Sequence, residues 1–185
     1  LWGDAMDAIV ATTDQSKDTA RKLLNHLIKE HLIREDENEQ EEDIILFSFE
    51  RLYEQLAAQE LLKNQGSASS ITKEFEEGGQ FTYLIADEAA ATKYAGIIES
   101  FSIIIAEKFG KELYDITNNA LVIKPSLNGM IWRSNNAFFE QSQQLISHCL
   151  TQKGYITTAW NTLIRLATRE NCCVNVNYLS KLLNN

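Results

Sequence analysis

Residues 16–49, SKDTARKLLNHLIKEHLIREDENEQEEDIILFSF, combine a helical pattern with two β-prone runs. Over 16–28, apolar residues recur at the i, i+3, i+4, i+7 spacing of one helix face, and Asp14 or Ser16 can cap the helix start. Two short β-prone runs then flank the strongly acidic residues 35–43. The stretch therefore predicts a helix followed by a β-hairpin with a long, solvated tip.

The flanking sequence extends this pattern into a domain. A preceding helix over 2–11 gives the order helix, helix, hairpin, which is typical of a winged helix, and a connecting helix is predicted over 49–62. We predict a winged-helix-like domain with its connecting helix at 1–62, a Gly- and Ser-rich loop or boundary region at 63–80, and a helical domain at 81–185.

The remaining sequence is helical in pattern. Helices are predicted over 87–109, with Gly110 as the stop, and over 136–150, 157–168 and 177–183. One Pro and eight Gly in 185 residues leave few positions for the tight turns of a β-sandwich or barrel. The expected fold class is therefore mainly α, with an N-terminal winged-helix-like unit, its short hairpin, and a helical array or bundle.

Charge and hydropathy narrow the possible partners. With 26 acidic and 17 basic residues the chain carries a formal charge of −9, which disfavours generic binding to nucleic acid or anionic lipid. No apolar run is long enough for a membrane span, so we expect no membrane partners. Three cysteines without a CxxC pair fit a reducing setting, so we expect a cytoplasmic protein. The chain begins at Leu1 in patterned sequence, and we interpret it as a piece of a longer polypeptide.

Sequence motifs for catalysis or cofactor binding are missing. Neither GxxxxGK[ST] nor GxGxxG occurs, and His26 and His31 are five residues apart, unlike the four-residue spacing of a zinc-binding helix. The acidic residues 35–43 offer oxygen ligands for a cation but lack the Gly of an EF-hand loop, so a solvated tip is preferred. We predict no catalytic, cofactor-binding or metal-binding residues, and no enzyme activity, in this chain.

The three cysteines form no CxxC pair and are expected to be reduced, buried or idle thiols. Cys172 and Cys173 leave open a vicinal disulfide or a metal site shared with His148. His148 and Cys149 are not expected to act as base and nucleophile, because adjacent residues on a helix point about 100° apart.

A winged helix also raises the alternative of a stand-alone DNA-binding or adaptor module. The helix over 16–28 and its end carry a basic stripe, namely Lys17, Arg21, Lys22 and Lys29. Nearby acidic residues and the acidic tip oppose contact with a phosphate backbone, so nucleic acid is an unlikely partner.

Residues 46–59, LFSFERLYEQLAAQ, combine an apolar strand end with the start of a helix. They resemble the junction between the winged-helix domain and the following helical domain of NACHT-type STAND NTPases, in particular the bacterial antiviral Avs-like members. Residues 23–34 resemble the preceding helix and first wing strand, and three later segments resemble helical-domain motifs, namely 126–133, 163–169 and 174–179.

This resemblance implies a non-catalytic regulatory segment that holds or releases the nucleotide-bound resting state of a larger ATPase. The implied partners are an upstream nucleotide-binding domain and a downstream repeat sensor of the same polypeptide. ATP or ADP and Mg²⁺ would bind in that parent, which would oligomerise on activation. Some members carry a nucleotide-contacting His at the position matched here by Phe49, so this chain is expected to bind no cofactor itself.

The same resemblance singles out residues for contact between domains. The expected contact residues are Phe49, Glu50, Arg51, Tyr53, Glu54, Trp132 and Arg133. Leu52, Leu56 and Ala57 are instead expected to lie in the core. Trp132 and Arg133 leave two interpretations, of which an anchor against the helical array is preferred to an exposed interface hot spot.

Overall fold

A computed structural model describes residues 2–37, 43–169 and 172–183. In that part of the chain the fold is mainly α-helical, with a single antiparallel hairpin, which confirms the expected fold class. The predicted hairpin tip falls mostly on 38–42, outside the described residues. Compact packing divides the chain into a first unit, Leu1–Tyr53, and a second unit, Glu54–Asn185.

The first unit contains the predicted order of helix, helix and hairpin. Its elements are α1 (Trp2–Thr13), α2 (Lys17–Lys29), β1 (Ile33–Glu37) and β2 (Asp43–Phe47). Ser16 caps α2 by accepting a hydrogen bond from the backbone N–H of Thr19 at 3.2 Å, as the sequence predicts. In the hairpin Ile33 pairs with Phe47, so both side chains lie on one face of the sheet.

The remaining helices follow the hairpin. They are α3 (Glu50–Leu62), α4 (Ala68–Phe75), α5 (Glu88–Lys93), α6 (Ala95–Phe109), α7 (Leu113–Thr117), α8 (Ile123–Met130), α9 (Glu140–Leu150), α10 (Ile156–Ala167) and α11 (Val176–Leu183). The boundary between the two units falls within α3. Gly110 ends α6 in the left-handed conformation, with φ of 62°, which confirms it as the predicted stop.

Two predictions of local structure in the second unit are wrong. Residues 63–80 are not a continuous loop, because α4 lies there with a reciprocal Ser67–Ser70 capping box and a fully buried Ile71. The predicted helix over 87–109 is interrupted at Tyr94, which separates α5 from α6. Apolar spacing continues across this short bend, so the sequence pattern does not reveal it.

The described helices of the second unit pack around two apolar clusters. In the first, Phe81 and Phe101 meet edge to face with ring centroids 5.1 Å apart. The second is built around Leu127, Ile146 and Leu163. At the crossing of α6 and α8, Gly129 lies against Ser102, a close approach that leaves no room for a Cβ.

Candidate functional site

The most distinctive surface of the first unit is a group of exposed apolar side chains that we call the aromatic patch, consisting of Phe47, Phe49, Leu52 and Tyr53. Phe49 is 57% exposed and Tyr53 is 49% exposed. The rings of Phe47 and Tyr53 contact each other, with centroids 5.8 Å apart and a tilt of 36°. Four apolar side chains within 47–53 therefore face water, an arrangement that is typical of a protein contact surface.

Local backbone structure explains why the aromatic patch projects outward. Phe49 directly precedes α3, and its carbonyl accepts hydrogen bonds from the N–H groups of Leu52 and Tyr53 at 3.0 and 3.3 Å. This first turn holds Tyr53 beside Phe47 at the end of β2. The backbone of the patch is thus fixed by a strand end and a helix start, so little backbone freedom is lost when a partner covers it.

A concavity of about 680 Å³ adjoins the patch within the first unit. Tyr53 and Phe47 line it together with Leu46, Arg34 and Glu50. Arg34 makes an exposed ion pair with Asp36, with 3.6 Å between the guanidinium and carboxylate. The surface therefore combines an apolar centre with charges of both signs at its edge, as protein interfaces do.

The structure places the other expected contact residues of α3 in two environments. Glu50 and Arg51 are exposed at its start. Glu54 is half-buried, and its carboxylate lies directly over Gly96 in the first turn of α6. The expectation that Leu52 and Leu56 belong to the core is wrong, since both are exposed, whereas Ala57 packs against the first apolar cluster.

The structure places Trp132 at the surface and Arg133 in the interior, so the two residues do not share one interpretation. Trp132 is 61% exposed, while Arg133 is only 1% exposed. The Arg133 guanidinium makes two hydrogen bonds with the Glu112 carboxylate, at 2.7 and 2.9 Å, and lies 5.9 Å from the Phe138 ring centroid. Arg133 is thus an internal anchor of the helical unit.

Sequence reasoning missed the other members of this buried polar cluster. Ser142 in α9 donates a hydrogen bond to Glu112 at 2.6 Å, and Arg169 donates to the carbonyl oxygens of Arg133, at 2.6 Å, and Ile131. These residues are far apart in the sequence and follow no motif, so no sequence signal identifies them. The cluster ties together the loops around α7, α8, α9 and α10, which is a structural role.

The basic stripe of α2 is partly neutralised within the first unit. Lys17 pairs with Asp7 at 2.8 Å, and Lys22 pairs with Asp18 at 2.7 Å. Hydrogen bonding to Lys22 lowers the pKa of Asp18, and the same contact raises the pKa of Lys22. Both lysines therefore already have carboxylate partners, which weakens any attraction to a phosphate backbone.

In the part of the chain that the structure describes, the three cysteines are free thiols. Cys149 is fully buried in the second apolar cluster, and its burial raises the pKa of the thiol to about 11. His148, the next residue, is exposed. Cys173 is exposed, and partial burial also raises the pKa of its thiol. Both thiols are therefore protonated near neutral pH and are weak nucleophiles.

Across the described part of the chain, no set of three or more His, Cys, Asp and Glu side chains is grouped so that it could hold a metal ion. Over the same residues, every helix is too short or too polar to cross a membrane.

Comparison with known proteins gives no family assignment, because no protein-family model, curated protein or solved structure matches the chain. The resemblance to STAND NTPases therefore stays a prediction from the sequence.

Proposed function

We propose that this chain is a non-catalytic regulatory segment of a larger, cytoplasmic NACHT-type STAND ATPase that acts in bacterial antiviral signalling. The aromatic patch is the observation that carries the proposal. In this view the patch docks against the nucleotide-binding domain of the same polypeptide and helps hold the ADP-bound resting state. A downstream sensor, once engaged, favours the undocked state and so allows the parent to oligomerise.

The chemistry of the patch supports a docking role. Phe47, Phe49 and Tyr53 expose large apolar areas. Covering them stabilises the docked state by about 25 cal/mol for each Å² of apolar surface removed from water. Glu50 and Arg51 at the start of α3 add charges of both signs at the rim. Such rim charges select a complementary partner more than they add affinity.

The proposed mechanism is a change of population between two states. If the patch contributes a few kcal/mol only in the docked state, its loss shifts the equilibrium by about tenfold for every 1.4 kcal/mol. The parent would bind ADP or ATP with Mg²⁺ in its own phosphate-binding domain. Trp132, which is exposed in the second unit, is a further proposed contact residue, whereas the buried Arg133 supports the fold behind it.

Nucleotide release from the full-length protein tests this function. Phe49→Ser combined with Tyr53→Ser should accelerate release of a fluorescent ADP analogue by at least about tenfold, because the docked state loses its apolar contact. Ile164→Ser is the matched control, since Ile164 is equally exposed but lies on α10. Unchanged release in the patch variant, or equal acceleration in both variants, would contradict the proposal.

A further inference from the structure

The helix α11 (Val176–Leu183) is attached to the second unit by few side chains. All eight of its residues are described, and none of them is buried. Tyr178, Leu179 and Leu182 are half-buried, lie on one face of the helix and pack against the second apolar cluster. The other five residues are exposed. The helix therefore covers apolar surface of the cluster without adding a buried residue to it.

One tyrosine adds a polar attachment between α11 and α9. The Tyr178 hydroxyl donates a hydrogen bond to the carbonyl oxygen of Gln143 at 2.8 Å. Its single proton is used there, so the Ser147 hydroxyl, 2.7 Å away, donates the second hydrogen bond to the tyrosine oxygen. Among the described residues, no other side chain of α11 is hydrogen-bonded to another helix. The polar attachment therefore depends on a single phenol group.

The residues just before α11 are anchored more firmly. Cys172 and Val174 are buried and belong to the second apolar cluster. The side-chain amide of Gln143 donates a hydrogen bond to the carbonyl oxygen of Cys173 at 2.8 Å. Asn175 follows and caps the start of α11 with its side-chain oxygen. The attachment of the chain thus changes at Asn175, from a buried anchor before it to a surface helix after it.

A helix as short as α11 is stable only while it is docked. Isolated helices shorter than about 12–15 residues are marginal in water, and α11 has eight residues. Its helical turns therefore depend on its apolar face and on the tyrosine hydroxyl. Unfolding the whole unit must also expose fully buried residues such as Leu127, Ile146 and Leu163. Local opening of α11 therefore requires less free energy than global unfolding does.

We propose that α11 is a hinged cover, which unfolds from the second apolar cluster while the rest of the second unit stays folded. The hinge is Asn175, and the closed state is held by the Tyr178 hydroxyl and the apolar face of α11. Opening exposes apolar surface beside α9 and α10, which α11 contacts when it is closed. The unit thereby has an apolar surface that is accessible only in the open state. This device does not depend on an ATPase parent, so it is tested separately from the proposed function.

Amide hydrogen exchange of the full 185-residue chain, followed by NMR, tests the cover. The reporters are the backbone N–H groups of Ser180 and Lys181 in α11, and the reference is those of Leu163 and Leu166 in α10. We expect the reporters to be protected, but to exchange at least about tenfold faster than the reference, relative to their intrinsic rates. Low urea concentrations should accelerate the reference and leave the reporters nearly unchanged, because local opening exposes little surface.

Two neighbouring leucines of α11 test which contacts hold it closed. Leu182 packs against the cluster, whereas Leu183 is 66% exposed. Leu182→Ala should accelerate exchange at both reporters by about tenfold, because the closed state loses an apolar contact. Leu183→Ala should change it by about twofold or less, since it only alters helix propensity. Neither substitution changes the intrinsic exchange rates of the reporters, because both lie after them in the chain.

Tyr178→Phe tests the polar attachment. Removing the hydroxyl should accelerate exchange at the reporters by about threefold to tenfold, because two hydrogen bonds of the closed state are lost. Tyr155→Phe is the control, since the Tyr155 hydroxyl lies 3.5 Å from the carbonyl oxygen of Ala120 and contacts no residue of α11. It should leave exchange at the reporters unchanged.

Gly129→Ala separates local opening from global unfolding. It crowds the crossing of α6 and α8, which stays intact when only α11 opens, so it should accelerate the reference and leave the reporters unchanged. The proposal is overturned if the reporters are unprotected or if they follow urea and Gly129→Ala as the reference does. Equal effects of Leu182→Ala and Leu183→Ala would also overturn it.

Discussion

Trp132 and Arg133 are neighbours in the chain, but their side chains lie in opposite environments. A helical turn places adjacent side chains about 100° apart, so one inward and one outward residue is a common outcome. The sequence does not say which of the two is buried, because the carboxylate that pairs with Arg133 belongs to Glu112, 21 residues earlier. The choice depends on tertiary packing of α7 against the segment after α8.

Arg133→Met should be strongly destabilising, because it leaves the buried Glu112 carboxylate without its cation. We expect a loss of about 3–5 kcal/mol in the free energy of unfolding, measured by urea denaturation. Adding Glu112→Leu removes the unpaired charge and should recover part of this loss. Arg165→Met, at an exposed position of α10, is the control. A loss no larger than that of the control would contradict the role assigned to the buried pair.

The buried Cys149 thiol predicts a stability change at alkaline pH. Its pKa rises from 9.0 to about 11 on folding, so the native state keeps this proton longer than the unfolded state does. The contribution of this thiol to the free energy of unfolding is therefore fully present below pH 9 and is lost as the pH rises towards 11. The loss is at most about 3 kcal/mol.

Urea unfolding of the parent chain and of Cys149→Ala measures this effect. Cys149→Ala lowers stability at all pH values through the cavity it leaves, but it should show a shallower decline between pH 9 and 11. Equal slopes in the two proteins would show that Cys149 does not titrate as its buried position requires.

At the scale of elements, the sequence predicts those helices whose apolar faces follow a regular period and whose ends carry local signals. Ser16 and Gly110 act through the backbone beside them, so their roles can be predicted. By contrast, α4 is short and lies in a Gly- and Ser-rich region, where composition favours a loop. Its burial depends on packing of Ile71 in the first apolar cluster, which no local pattern reveals.

Gly129→Ala tests the close crossing of α6 and α8. An added Cβ would meet Ser102 and would lie 2.9 Å from the backbone carbonyl oxygen of Glu99, so the helices must separate. We expect a loss of about 1–3 kcal/mol in the free energy of unfolding. Gly3→Ala in α1 has nothing within 4 Å and should be neutral or slightly stabilising. Similar values for the two variants would exclude a tight crossing.

At the scale of the whole molecule, charge is distributed unevenly along the chain. Most of the net negative charge lies in residues 1–53, the same stretch that contains the winged-helix-like order of elements. The resemblance predicts Phe49 and Tyr53 as contact residues, and both are exposed in the structure. An apolar concavity of about 490 Å³, lined by Ile9, Leu24 and Ile45, was not predicted, because its walls come from helices and strands that only tertiary packing brings together.

This charge distribution predicts that the chain does not bind duplex DNA. Lys17 and Lys22 are held by carboxylates, and the surrounding field repels phosphates. Fluorescence anisotropy with a labelled random-sequence duplex at about 0.01 M salt should therefore show no binding. Salt-dependent binding that Lys22→Ala weakens would instead support a stand-alone winged-helix DNA-binding module.

The coding sequence upstream of Leu1 tests the proposed ATPase parent directly. A regulatory segment of a STAND ATPase requires a nucleotide-binding domain in the same open reading frame. We predict a β-strand followed by GxxxxGK[ST] and a helix in that upstream sequence, the phosphate-binding arrangement of such domains. An open reading frame that lacks this motif upstream would contradict the proposed STAND ATPase parent and would favour a separate adaptor protein.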